Sequence, residues 1–295
     1  MEIERLQISV ITEAEVCGIT ARKKGFQIIC KNASYLADAV ILATGAKAAP
    51  KLGSGGSGYT LAKKLGHSIV PVVPALVQLR CKETFFKALA GVRLQGTVHL
   101  IVNGTEVCSD TGEIQLTDYG ISGIPVFQVS RFASRAIYEK KKVEAVLDFM
   151  PDFSEEAFQA FLQARIAVRP EKKMEDFFTG LLNKKVSQVI LKIANIRTNQ
   201  KAGTLEKDEI TRIVKTVKAF RTEVTGTNSF EQAQICAGGV NTKEINPETM
   251  ESLLIKNLFF AGELMDVDGI CGGYNLQWAW SSGYLAGKGA AYAKN

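Results

Sequence analysis

Histidine is scarce in this chain, with only His67 and His99 in 295 residues. The six cysteines, Cys17, Cys30, Cys81, Cys108, Cys236 and Cys271, are scattered and include no Cys-x-x-Cys pair. Too few ligands at zinc spacing are left for a metal centre, and the scatter suits the reduced thiols of a cytosolic protein. No apolar run reaches the roughly 18 residues of a membrane-spanning helix. The opening Met-Glu-Ile-Glu-Arg also lacks the basic and apolar regions of a signal peptide, so the expected location is the cytoplasm. No Gly-x-Ser-x-Gly elbow stands between a strand and a helix, which argues against a serine hydrolase. Internal repeats and low-complexity segments are missing too.

Basic residues exceed acidic ones by little, 36 against 30, for a net charge of +6. Much of the excess lies in short clusters such as Lys140 to Lys142, Lys172 with Lys173, and Lys184 with Lys185. Such clusters read as solvated helix faces, since a nucleic-acid footprint needs a basic stripe with interleaved aromatics. No nucleic-acid partner and no membrane partner are expected. What the chain does have is 46% hydrophobic content over a length that supports two or three domains.

Two stretches carry the chemistry. In the first, 257–290, a Phe-rich run of buried-strand length, Leu258 to Ala261, is closed by Gly262 and Glu263. A carboxylate at the carboxyl end of a buried strand in an open α/β sheet sits where such sheets bind ligands. Gly272 and Gly273 then lead into a helical segment without acidic residues. Ala279, Gly283, Ala286 and Ala290 recur there as a small-residue face, and Leu276, Trp280 and Tyr284 line another. Two glycines at a helix start leave N–H groups uncovered, and with the positive end of the helix dipole they favour an anion or an electron-rich ring edge. On spacing alone, a glycine-rich turn before a core helix explains the same residues.

The second stretch, 32–50, holds a buried-strand pattern over Ala39 to Thr44 that ends in Ala-Thr-Gly. Three strand-like pieces precede it, Leu6 to Thr12, Glu15 to Ala21 and Phe26 to Lys31, with a turn at Arg22 to Gly25 joining the last two. A meander feeding a strand that ends in Ala-Thr-Gly, with strand-Gly-Glu and a Gly-Gly helix start far downstream, resembles the two-dinucleotide-binding flavoproteins. The closest resemblance is to the HI0933-like (BaiN-like) NAD(P)/FAD-dependent oxidoreductases. It rests on ILATGAKAAP followed by GSGGSGYTLAKKLGH, on LTDYGISGIPVFQVS (116–130), on ICAGGVNTKEINPETMES (235–252), and on AGELMDVDGICGGYNLQWAWSSGYLAG.

The resemblance implies an α/β fold: an incomplete Rossmann-like FAD-binding domain with an inserted β-rich domain and a helical subdomain. Expected boundaries are 1–75 for the first part of the FAD-binding domain, 76–151 for the β-rich domain and 152–220 for the helical subdomain. Return strands and the last part of the FAD-binding domain would occupy 221–295. It also implies FAD as cofactor, NAD(P)H as electron donor, and a small organic substrate. Thr44, Gly45, Glu263, Gly272, Gly273, Tyr274, Asn275 and Leu276 become the cofactor-binding candidates, with Glu263 toward the ribityl chain and Gly272 to Leu276 at the pyrimidine edge. A helix-capping or surface role for Glu263 stays open, and no residue stands out as a catalytic acid or base. Cys271 lies beside the glycines but has no partner thiol, so an inert role competes with a redox one.

In one respect the sequence departs from the family pattern. Such proteins begin with a strand-loop-helix unit carrying Gly-x-Gly-x-x-Gly, which holds the adenosine and diphosphate, and this chain starts at Met1 just ahead of the meander. Gly53, Gly55 and Gly58 match the spacing, but Pro50 separates them from the strand and no acidic residue follows near Gln78. They read as a loop that the resemblance places near the flavin, as it does Thr117 to Pro125. The expectation is a chain without its amino-terminal dinucleotide-binding segment. A non-catalytic remnant, or half of a split flavoprotein that needs a partner segment to bind FAD, is the alternative to an intact oxidoreductase.

Within the inserted region, strands are expected over Ala75 to Arg80, Gly96 to Val102, Glu106 to Ser109 and Glu144 to Met150, and a helix over Val126 to Tyr138 led by Pro125. Ser154 reads as an N-cap followed by Glu155 and Glu156, and Pro170 as the opening of a second helix through Leu181. Apolar stripes at Val186 to Ile193 and Ile210 to Val217 mark two more helices.

Overall fold

Alternation around a glycine turn builds the first sheet. The computed structural model describes residues 2–292. After a one-turn helix α1 (Glu2–Arg5), strands β1 (Val16–Ala21), β2 (Phe26–Cys30) and β3 (Ser34–Ala37) form an antiparallel meander. Arg22 N–H donates to the Gly25 carbonyl at 2.9 Å to close the β1–β2 turn. Gly25 has φ +69°, and a Cβ there would lie 2.2 Å from the Ala37 carbonyl oxygen, so only glycine fits. The strand expected at Leu6 to Thr12 is not formed. Its apolar side chains Leu6, Ile8, Val10 and Ile11 are exposed, and β propensity without a pairing partner does not make a strand. The meander feeds β4 (Val40–Leu42), and helix α2 (Ser57–Lys64) follows a loop that includes a 3₁₀ turn at Pro50–Leu52.

The chain then runs along β5 (Ile69–Ala75), extended through Pro71 and Pro74. The single strand expected from Ala75 to Arg80 is instead split. Leu76 takes φ +49°, which ends β5, and β6 (Leu79–Cys81) starts afresh. Helix α3 (Phe86–Leu89), β7 (Arg93–Val102), β8 (Thr105–Leu116), β9 (Gly120–Ser122), α4 (Ile124–Tyr138) and β10 (Val143–Asp148) come next. Pro125 is the second residue of α4 rather than the first, with Gly123 at the N-cap. Helices α5 (Glu155–Val168), α6 (Met174–Phe177), α7 (Lys184–Ile193) and α8 (Lys207–Lys218) precede β11 (Phe220–Thr227).

Strands β6 to β11 close into an antiparallel barrel in the order β10-β11-β6-β9-β8-β7. Closure removes sheet edges, and Leu79, Val98, Leu100, Ile114, Leu116, Ile121, Ala145 and Leu147 are fully buried. The side chains of α5 to α8, including Phe158, Phe177, Ile190 and Val214, join the same apolar cluster. Ser154 caps α5 as its sequence suggests, accepting from Ala157 N–H at 3.1 Å. Pro170 opens no helix. The residues after it form a turn, with Lys172 N–H donating to the Arg169 carbonyl at 3.2 Å, and Lys173 pairs with Lys201 in an isolated bridge, so α6 starts only at Met174 and lasts one turn. The Met174 and Glu175 N–H groups at its start donate to the Gln200 and Thr198 carbonyls at 2.9 and 2.8 Å.

After the barrel, β12 (Ile235–Val240) pairs with β5, β13 (Leu258–Phe260) pairs with β4, and α9 (Tyr274–Tyr292) ends the described chain. Two compact units result, residues 1–72 with 236–295, and residues 73–235, with β11 in the second. Among the described residues, no helix is long and apolar enough to cross a membrane.

Each unit contains a polar clasp. In the second, the Lys218 ammonium donates to Asp148 at 2.6 Å, to the Met150 carbonyl at 2.7 Å and to the Phe153 carbonyl. Both charged side chains are about nine-tenths buried, at 9% and 12% exposure. Breaking such a pair from one side strands a charge. Lys218→Met is therefore expected to cost about 3–5 kcal/mol in chemical denaturation, and adding Asp148→Asn should recover part of it. A loss below roughly 1 kcal/mol, the range of a surface pair, would contradict this.

In the first unit, His67 is buried, with Nδ1 3.1 Å from Glu244 Oε2 and Nε2 2.9 Å from Ser252 Oγ. Ser252 Oγ already accepts from the Leu254 and Ile255 N–H groups. The hydroxyl therefore donates to Nε2, and a neutral ring donates from Nδ1 to the carboxylate. Although this places Ser, His and Glu in a triad order, the serine is buried and its oxygen caps a turn. Burial holds His67 below its ordinary pKa, against the pull of Glu244. At Glu244, burial alone would raise the pKa, but hydrogen bonds from Ser68 and the His67 contact outweigh it and hold the group low.

A depressed histidine pKa gives stability that is full above the unfolded value, about 6.5, and is lost as pH falls through the folded value. The urea midpoint should drop between about pH 7.5 and 5.5. His67→Gln should cost about 1–3 kcal/mol at the higher pH and flatten that drop. An unchanged pH dependence in the variant would show that His67 is not the group responsible.

Candidate functional site

Strands β4 and β13 run parallel in a register that pairs Val40 with Leu258, Ile41 with Phe259 and Leu42 with Phe260. The Ala261 N–H extends the ladder, donating to the Leu42 carbonyl at 3.0 Å. Parallel pairing brings Thr44 and Gly45, beyond β4, and Gly262 and Glu263, beyond β13, to the same end of the two strands. Gly262 takes φ +73° and opens a 3₁₀ turn through Leu264. Its N–H donates to Ser282 Oγ at 2.9 Å, and its carbonyl accepts from Trp278 Nε1 at 3.2 Å. Helix α9 thereby holds the turn that presents Glu263.

Glu263 is half-buried and has no hydrogen-bond or ion-pair partner among the described residues. Burial alone pushes its pKa upward. A capping role would require a backbone N–H on its carboxyl group, and none is present. The carboxyl group is thus desolvated and open to a donor, which a surface carboxylate is not.

Thr44 and Gly45 are placed differently from Glu263. Thr44 Oγ1 is sealed from solvent without a hydrogen-bond partner, because α2 lies against it: a Cβ on Gly58 would sit 1.9 Å from that oxygen and 2.9 Å from Leu264. Ser54 Oγ lies within hydrogen-bond distance of the Thr44 and Ala46 carbonyls and lines the approach to Gly45, which takes φ +71°. The Gly53 to Gly58 stretch therefore packs against the end of β4, and the 3₁₀ turn at Pro50–Leu52 ahead of it separates β4 from α2, unlike a tight strand-to-helix phosphate loop. Tyr59, on α2, buries its hydroxyl without a partner. Burial raises its pKa, with smaller contributions from Cys236, Glu263 and Asp266.

Gly272 and Gly273 are exposed, with φ +118° and +92°, and nothing lies within 4 Å of a Cβ placed on Gly273. The Gln277 N–H donates to the Gly273 carbonyl at 3.0 Å, which makes Gly273 the residue at which α9 begins. Among the described residues, the Gly272 and Gly273 N–H groups meet no acceptor. Asn275 faces back toward the preceding loop, accepting from Gly269 N–H at 2.8 Å and donating to the Gly269 carbonyl at 3.2 Å. Its side chain braces the loop, so only its backbone is available to a ligand. Tyr274 and Leu276 are exposed.

The expected residues thus separate into an open set, Glu263, Gly272, Gly273, Tyr274 and Leu276, and a bracing set, Thr44, Gly45 and Asn275. Trp278 and Ser282, which hold the Glu263 turn, have no sequence signal beyond their place on a helical face. Cys236 is buried, and burial pushes its thiol up to about 11 against hydrogen bonds from the Lys47 and Ala48 backbone. It is a packing residue. No group of three or more metal-ligating side chains gathers among the described residues.

The family model described as HI0933-like protein Rossmann domain matches residues 1–289. A 3-dehydro-bile acid delta(4,6)-reductase of Clostridium scindens is 42% identical over 291 residues, 99% of this chain and 71% of the reductase. Ribosomal RNA dihydrouridine synthases of Haemophilus influenzae and Escherichia coli are 30% and 26% identical, over 94% and 100% of this chain and 65% and 71% of their own lengths. The expected family and α/β class are borne out, and the chain belongs to the HI0933-like family.

Proposed function

We propose that this protein is an FAD-dependent oxidoreductase that takes electrons from NAD(P)H and acts on a small organic molecule. One observation carries the reading: an open, desolvated carboxylate and a bare Gly-Gly helix start share the unit of a chain that matches a reductase along 99% of its length. The residues present fit a flavin. Glu263 would accept from ribityl hydroxyls, and the N–H groups of Gly272 to Leu276 would donate to the electron-rich edge of the ring. When bound, the flavin supplies the hydride chemistry. The chain's part is to hold that ring, to keep donors and the positive end of the α9 dipole at the edge where negative charge grows, and to exclude water with Tyr274 and Leu276. Thr44 and Gly45 support the site by packing. The more similar relative is named for a bile acid and the less similar ones for ribosomal RNA, so the smaller substrate is the one proposed.

A second reading is favoured by the apolar surface of this unit. Ile41, Leu276, Trp280 and Tyr284 are 40%, 58%, 67% and 70% exposed, and patches of this kind mark interaction sites. In this reading, FAD is held only together with a further polypeptide segment that covers the patch and cradles the diphosphate.

Absorption near 450 nm, roughly the oxidised-flavin band, separates the two after FAD is added and the protein desalted. A retained band is expected to disappear in Gly273→Val and to weaken in Glu263→Gln. An undiminished band in both variants would contradict the placement. A colourless wild type would favour the second reading.

A further inference from the structure

The barrel unit holds a cation that the flavin reading does not use. Arg80, on β6, has its guanidinium carbon 5.1 Å from the centroid of the Tyr119 ring, and its Nη1 donates to Asn228 Oδ1 at 3.2 Å. Asn228 is 5% exposed. Its Nδ2 donates to Tyr119 Oη at 3.0 Å and to Gln78 Oε1 at 3.3 Å, while its N–H donates to the Gln78 carbonyl at 3.0 Å. The amide orientation is therefore dictated by its neighbours, and Oδ1 must face the arginine. Tyr119 is fixed in turn by β6, whose Cys81 N–H donates to its carbonyl at 2.8 Å.

An arginine side chain loses rotamer freedom when held in one place. Arg80 is exposed, and among the described residues no carboxylate lies within ion-pair distance of it. It is positioned by a neutral amide oxygen and an aromatic face, which orient the fork without supplying a counter-charge. Nε and Nη2 make no hydrogen bond to the described residues, and these two donors match the two oxygens of a carboxylate or a phosphate.

We infer that Arg80, positioned by Asn228 and Tyr119, is a binding site for an oxyanion carried by a ligand of this protein, either a carboxylate or a phosphate. Asn228 is the positioning residue: an aspartate there would neutralise the guanidinium internally. The inference stands on the second unit alone and does not depend on the flavin reading.

The test is a titration of the full chain, ¹⁵N-labelled, with inorganic phosphate, with sodium butyrate, and with sodium chloride at matched ionic strength, following the Arg80 Nε–H and Asn228 side-chain signals by NMR. A saturable shift with phosphate or butyrate, and none with chloride, is expected, and the tighter of the two identifies the ligand group. Arg80→Gln should abolish saturation. Arg80→Lys, which keeps the charge and loses the fork, should weaken it several-fold, and Asn228→Asp should weaken it at least about tenfold, because a carboxylate at Nη1 neutralises the guanidinium that the oxyanion must meet. Backbone spectra report whether each variant is folded. Shifts that are linear in all three salts, or binding in Asn228→Asp equal to wild type, would overturn the inference.

Discussion

Gly262 is gripped from both of its peptide groups by one helix, and the site depends on that grip. Ser282 accepts from its N–H and Trp278 donates to its carbonyl, so α9 cannot shift along the strand ends without breaking both bonds. The same contact fixes where the Glu263 carboxyl group emerges and how the Gly-Gly start of α9 is anchored. A φ of +73° at Gly262 is what allows the chain to turn there. A side chain at this position would strain the backbone and move the carboxylate.

Polar groups held by their neighbours are deployed in two ways. His67 with Glu244 and Ser252, and Lys218 with Asp148, satisfy one another fully, and their effect is on stability. Glu263 and Arg80 are held in position but left with capacity unused. The difference lies in the partners: the first pair of networks ends on charged or turn-capping groups, whereas Glu263 has none and Arg80 has a neutral amide and a ring. Unused capacity at a fixed position is what distinguishes a receptor from a staple.

The short apolar runs at Ala39 to Thr44 and Leu258 to Ala261, the Gly-Gly helix start and the Ser154 cap could be read in the sequence because each is a local pattern. Barrel closure could not, since the pairing of β10 with β7 and of β11 with β6 joins residues far apart in the chain. Leu6 to Thr12 misled for the same reason: its alternation is that of a strand, but no partner lies beside it. Pro170 misled because the chain after it turns and then pairs at Lys173 with Lys201, a distant partner invisible locally, so the helix starts only at Met174. At the site, the glycines and Glu263 were legible, while the bracing roles of Thr44 and Asn275 depend on contacts with Gly58 and Gly269 that spacing does not encode. The Arg80 cluster draws on three separate segments and leaves no motif.

Hydrogen exchange at the start of α9, measured with and without FAD, is the most direct test of the central claim. The amides of 272–276, which meet no acceptor among the described residues, are expected to become protected when FAD is added, with the Glu263 turn following. Protection confined to other segments, with 272–276 exchanging as fast as before, would contradict it.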